Sequence, residues 1–167
     1  KFVWSTDGTT AGSELALTLP WNTIVHLAEV GGQALLLTSA PPFSIWQLSE
    51  TDGTAAGTAV LTSGPGQPEF TGGVVSRDGW MAFATSEGLW LSDGSAGGTG
   101  LVPGTLGFEV HQALDGWALV SGLQDGRGVE FALLDPSDGS LVGLPEIESG
   151  VAGTDVHRVL VSDDRLW

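Results

Sequence analysis

Four Asp-Gly pairs recur in this chain at nearly regular steps, each set among small hydroxylated residues. They are Asp7-Gly8, Asp52-Gly53, Asp93-Gly94 and Asp138-Gly139, separated by 45, 41 and 45 residues. In the first three copies a second glycine follows five residues after the aspartate, at Gly12, Gly57 and Gly98. A period of that size marks an array of supersecondary units, none of which can bury its apolar faces alone. The chain therefore has to fold as a stack.

Between the aspartates the pattern is strand-like. The first unit predicts strands at Thr23–Val30, Gln33–Ser39, Ser44–Ser49 and Thr58–Thr62. The second gives Glu69–Ser76, Trp80–Thr85, Leu89–Ser92 and Thr99–Val102, and the third Phe108–Leu114, Trp117–Ser121, Val129–Asp135 and Ser140–Leu144. Gly31-Gly32, Asp78-Gly79 and Asp115-Gly116 separate the first two strands of each unit. Such pairs suit type I′ hairpin turns, whose two central residues both need positive φ. Four antiparallel strands per unit of about 40–45 residues describe a β-propeller blade. The expected fold is thus all-β, a propeller of about four blades forming one domain over residues 1–167. Its units run 19–63, 64–103 and 104–144, with half blades at 1–18 and 145–167. The two halves are complementary, but the second strand of the last one is short. A section of a larger propeller is favoured over a natural four-bladed ring.

The motifs around the aspartates carry a family resemblance. Phe2-Val-Trp4-Ser-Thr-Asp7-Gly8-Thr-Thr-Ala-Gly12-Ser13 and Gly88-Leu-Trp90-Leu-Ser-Asp93-Gly94-Ser95 resemble the bacterial repeat Glu-Leu-Trp-x-x-Asp-Gly-Thr followed by Ala-Gly-Thr. Thr51–Thr58 matches the second half of that motif. Trp46 stands six residues before Asp52 instead of three, which predicts a bulge or a longer hairpin there. The segment around Asp138 departs further and looks like a generic hairpin. The resemblance implies a propeller-like fold in a protein exported by bacteria, at the cell surface, in the periplasm or outside the cell. It supplies no activity and no catalytic residues.

Charge narrows the partners. Twenty acidic against five basic residues give a formal net charge of −15, so a phosphate backbone would be repelled and nucleic acid is not an expected partner. No run approaches the roughly 18 apolar residues of a membrane-spanning helix. Protein partners and membership of a larger complex remain, as do divalent cations. With no cysteine, disulfides and thiolate chemistry are absent.

Two constellations could carry chemistry. The Asp-Gly-Thr turns offer hard oxygen ligands suited to Ca²⁺, yet each holds one aspartate where a calcium loop concentrates several acids. An Asx-turn, with glycine supplying positive φ, is the weightier reading. The three histidines share one position counted from the aspartates: His26 and His157 follow by 19 residues and His111 by 18. Thr71 takes that position in the remaining unit. Two residues earlier stand Ile24, Glu69, Glu109 and Asp155. On innermost strands, His26, His111, His157, Glu109 and Asp155 would ring a channel and suit a divalent transition metal. Hydrogen bonding between neighbouring strands explains the histidines equally well and is favoured. The recurring tryptophans read as core between blades. No nucleophile elbow, phosphate loop or His-Glu-x-x-His motif is present. The sequence thus reads as a non-enzymatic interaction module with no cofactor; a metal-binding or hydrolytic propeller is the alternative.

Overall fold

Alternation of apolar residues along the strands produces the architecture. The computed structural model describes residues 1–19, 23–40, 45–66, 73–124, 128–145, 161–162 and 165–166. These form sixteen strands: β1 Phe2–Ser5, β2 Glu14–Thr18, β3 Thr23–Val30, β4 Gln33–Ala40, β5 Ile45–Thr51, β6 Ala59–Pro65, β7 Val74–Arg77, β8 Trp80–Thr85, β9 Gly88–Ser92, β10 Gly100–Leu101, β11 Glu109–Leu114, β12 Trp117–Gln124, β13 Gly128–Leu134, β14 Leu141–Gly143, β15 Val161–Ser162 and β16 Arg165–Leu166. The fold is all-β. Three four-stranded antiparallel sheets, each in sequential strand order, comprise β3–β6, β7–β10 and β11–β14. Two-stranded sheets β1–β2 and β15–β16 flank them in sequence.

Strand β8 shows how the sheets pack. A strand turns successive side chains to opposite faces. Met81 and Phe83 accordingly meet Leu35, Leu37, Trp46 and Leu48 of the first four-stranded sheet. Trp80, Ala82 and Ala84 meet Val110, Ala118, Val120, Ala132 and Leu134 of the third. The middle sheet is therefore buried on both faces, and every residue of β8 is buried. The first strands lie together, with β7 in contact with both β3 and β11.

Trp46, Phe83 and Trp90 form one aromatic cluster across the first interface. Trp46 meets Phe83 edge-on at 5.2 Å and Trp90 edge-on at 4.8 Å between ring centroids, while Phe83 and Trp90 lie near-parallel at 6.3 Å. An irregularity does occur nearby, where pairing of β5 with β6 shifts between Leu48 and Ser49 and leaves Leu61 of β6 extra, but it does not displace Trp46, which pairs regularly with Ser39. The same shift leaves Ala16 extra beside Trp4, which stands at the usual distance from its aspartate. The expectation of buried tryptophans holds for Trp46 and Trp80, in part for Trp90 and Trp117, which are half-buried, and not for Trp4, which is 64% exposed. Trp21 and Trp167 lie outside the described residues.

The hairpin turns differ from expectation at one place. Gly31, Gly32, Asp78 and Gly79 all have positive φ, but in Asp115-Gly116 only the glycine does. That turn is not type I′.

Candidate functional site

The repeated aspartates build the same hydrogen-bonded loop three times. Asp7 Oδ1 accepts from the Thr9 amide at 2.9 Å and the Thr9 hydroxyl at 2.8 Å. Asp52 does so from Thr54, both at 2.8 Å, and Asp93 from Ser95 at 2.8 and 2.7 Å. The same hydroxyl then accepts from the second glycine's amide, at Gly12, Gly57 and Gly98. Its residue's carbonyl accepts from the next hydroxyl, at Ser13, Thr58 and Thr99. That hydroxyl pairs at 2.7 Å with the one preceding the aspartate, at Thr6, Thr51 and Ser92. The loop is the Asx-turn foreseen, closed by a ring of hydroxyls.

The second glycine is a steric requirement. A Cβ at Gly12, Gly57 or Gly98 would land on the carboxylate of Asp7, Asp52 or Asp93 respectively. The first glycine makes a different contact, onto the preceding sheet. A Cβ at Gly94 would lie 2.9 Å from the Val30 carbonyl oxygen, and one at Gly31 2.9 Å from the Asp93 carbonyl oxygen. Backbone meets backbone there, so the Asp93 loop also clasps the hairpin turn of the sheet before it, while Gly53 only touches the Ala16 side chain and Gly8 meets nothing within 4 Å. The Gln33 amide nitrogen adds to this join, donating to Glu50 Oε2 at 2.8 Å and to the Gly94 carbonyl at 3.0 Å. Beside it opens a cleft of about 330 Å³ bordered by Gln33, Glu50 and Asp52.

In the fourth copy the clasp aspartate is Asp135 and not Asp138. Asp135 Oδ1 accepts from the Ser137 amide and hydroxyl at 2.8 and 2.7 Å. Its amide donates to the carbonyl five residues on, at Ser140, as the Asp52 amide does to Gly57. Asp138 accepts from the Ser140 amide within the same turn.

The histidines are placed by bulges. In β3, Ile24 pairs with Thr38 and His26 with Leu37, so Val25 is the extra residue. In β11, Val110 pairs with Val120 and Gln112 with Leu119, so His111 itself is extra. Two residues opposing one interrupt the simple alternation of faces. The position shared by count from the aspartates is therefore not one ladder position. Measured from the hairpin turn, Glu109 rather than His111 corresponds to His26, since Glu109 pairs with Ser121 where His26 pairs with Leu37. His26 Nε2 reaches Ser76 Oγ on the next sheet at 3.4 Å. His111 Nε2 lies 2.7 Å from Ser121 Oγ in its own sheet and edge-on to Phe131 at 5.5 Å. Among the described residues, no three His, Asp or Glu side chains gather as a metal-binding group. His157, Asp155, Glu69 and Thr71 lie outside the described residues.

Electrostatics follow from these bonds. The Thr9 and Thr54 amides, with their hydroxyls, hold Asp7 and Asp52 below the usual carboxylate range. The Ser95 hydroxyl and then its amide do so for Asp93, and the Ser140 amide for Asp138. Burial pushes the imidazole of His26 down. It does the same for His111, against the raising effect of the Glu109 charge. His26 and His111 thus take up a proton less readily in the fold than in the unfolded chain, where histidine protonates below about 6.5. Their contribution is complete above that pH and declines as the pH falls below it. The aspartates contribute above their ordinary 3.8, and that contribution is lost as the pH falls through their depressed folded values. Melting temperature is therefore expected to drop in two stages on acidification from pH 8 to pH 3. His26→Gln should diminish the upper stage and leave the lower; a melting profile flat between pH 7 and pH 5 would contradict this.

No family model matches the chain, and no curated protein matches it.

Proposed function

We propose that this chain is a non-enzymatic interaction module, a section of a β-propeller in an exported bacterial protein, presenting acidic loops to a protein partner within a larger assembly. The observation that carries it is the threefold clasp. The repeated Asp, Ser/Thr and Gly residues hold one another within each loop, and the Asp93 loop also holds the neighbouring sheet, so the repeat motif is scaffold. The propeller reading is supported by sequential four-stranded sheets, the middle one buried on both faces, with first strands side by side. The charge of −15 and the cleft beside Glu50 and Asp52 favour a cationic surface on the partner. No helix of the described residues is long and apolar enough to cross a membrane.

Titration calorimetry with oligolysine and oligoglutamate tests the reading. Oligolysine is expected to bind at low ionic strength and weaken as salt rises, while oligoglutamate does not bind. Absence of oligolysine binding would remove the support from charge. Metal analysis of the purified protein, with melting curves in and out of EDTA, separates this reading from the metal-centred one. The module reading expects no stoichiometric metal and no EDTA shift. A bound metal lost in His111→Ala would overturn it.

A further inference from the structure

An Asp-Gly pair carries its own reaction. The glycine amide nitrogen, unhindered by a side chain, attacks the Cγ carbon of the aspartate before it. The nitrogen gives up its proton, a C–N bond forms, and a carboxyl oxygen departs as water, leaving a five-membered succinimide. Water then opens the ring. Cleavage at Cγ restores aspartate, while cleavage at the main-chain carbonyl gives isoaspartate, whose backbone runs through Cβ. One water is lost and one regained, so mass is unchanged. The attack needs a free glycine amide and a protonated carboxyl group, because a carboxylate oxygen leaves poorly.

The repeat loops withhold both. The Gly8 amide donates to Thr6 Oγ1 at 3.0 Å, the Gly53 amide to Thr51 Oγ1 at 3.1 Å and the Gly94 amide to Ser92 Oγ at 3.2 Å. In the fourth copy the Gly139 amide donates to the Asp135 carbonyl at 2.9 Å. The carboxylates of Asp7, Asp52, Asp93 and Asp138 each accept from the amide two residues on. In the first three the loop hydroxyl donates to the same oxygen. These bonds favour the charged form and make the protonated one scarcer than usual. Attack would require nucleophile and carboxylate to be released together.

Among the described residues, neither restraint applies to the turn joining β11 to β12. Asp115 and Gly116 are its central residues, with Leu114 and Trp117 paired across it, and both are exposed. The bond that closes such a turn joins its first and fourth residues, which leaves the Gly116 amide facing water. Asp78-Gly79, in the turn joining β7 to β8, is more restrained. Asp78 Oδ2 accepts from Arg77 Nε at 2.8 Å, and Gly79 is half-buried. Asp125-Gly126 lies outside the described residues.

We infer that Asp115-Gly116 is a modification site, where this chain passes from an aspartyl to an isoaspartyl backbone, while the loops shield the same dipeptide in the repeat. The product adds a methylene to the backbone of the β11–β12 turn.

The unaltered protein, aged at neutral pH and body temperature, provides the test. Its peptides are read by electron-transfer fragmentation, which distinguishes isoaspartate from aspartate at each position. Isoaspartate at Asp115 is expected to form at least about tenfold faster than at Asp52 or Asp93, the factor that breaking one charge-assisted hydrogen bond adds to a barrier. Asp78 should fall between. In urea the loops are gone, so the rates at Asp52, Asp93 and Asp115 should converge. No isoaspartate at Asp115, equal rates at the three positions in the folded protein, or Asp78 ahead of Asp115 would overturn the inference. So would a spread that persists in urea, since it would trace the difference to neighbouring residues and not to the fold.

Discussion

Trp46→Ala is expected to destabilise the protein by about 3–5 kcal/mol, the usual range for truncating a fully buried large aromatic. Trp46 is 0% exposed and is the one ring of its cluster that meets the other two edge-on. Its loss opens a cavity between two sheets whose backbones are tied at the clasps, so the interface has little freedom to collapse. Trp46→Phe should behave differently. The indole Nε1 is buried with no hydrogen-bond partner among the described residues, and a buried donor without an acceptor is itself unfavourable. Phenylalanine keeps a ring against Phe83 and Trp90 while deleting that donor, and should cost no more than about 1 kcal/mol. Urea unfolding of both variants checks the pair. Equal costs would mean that the ring cluster does not organise the interface.

Gly98→Ala should cost about 3 kcal/mol, from overpacking and the loss of hydrogen bonds to the displaced carboxylate. Gly97→Ala, one residue earlier, should change stability by less than about 0.5 kcal/mol. A Cβ at Gly97 meets nothing within 4 Å, while one at Gly98 falls on the Asp93 carboxylate. That carboxylate cannot swing away without releasing the Ser95 amide and hydroxyl. Asp93→Ala removes the obstacle, so in that background Gly98→Ala should cost markedly less. The double-mutant cycle isolates the contact. Additive losses would show that the glycine serves some purpose other than making room for the aspartate.

The strands were legible because alternation and turn residues agree locally. The predicted span of β8 matches the observed Trp80–Thr85, and that of β3 matches Thr23–Val30. The displaced Trp46 did not foretell the bulge in β5–β6, since the same bulge stands beside Trp4, where the tryptophan is not displaced. What sequence spacing could not convey was ladder register. The count from the aspartates aligned His26 with His111, but the loops between aspartate and hairpin differ in length, and bulges in β3 and β11 absorb residues at different points. The role of Gly12, Gly57 and Gly98 was also missed, although their constant offset from the aspartate was visible. A conserved interval says that two residues meet, and only coordinates reveal that one fills the space a side chain would need. Asp138 carries the Asp-Gly signal on which the period is counted, and Asp135 does not. The hydrogen bonds favour the aspartate that precedes Pro136.

The clasps have a direction. The loop holding Asp93 rests on the turn at Val30–Gly31, made earlier in the chain; Gly53 lies against Ala16, and Gly139 against Leu91 and Val102. These three loops lean toward the N-terminus, each onto a sheet already synthesised when it emerges from the ribosome. Translation presents each unit to a surface that is waiting for it, so folding can keep pace with elongation and the newest sheet is the only one left without its latch.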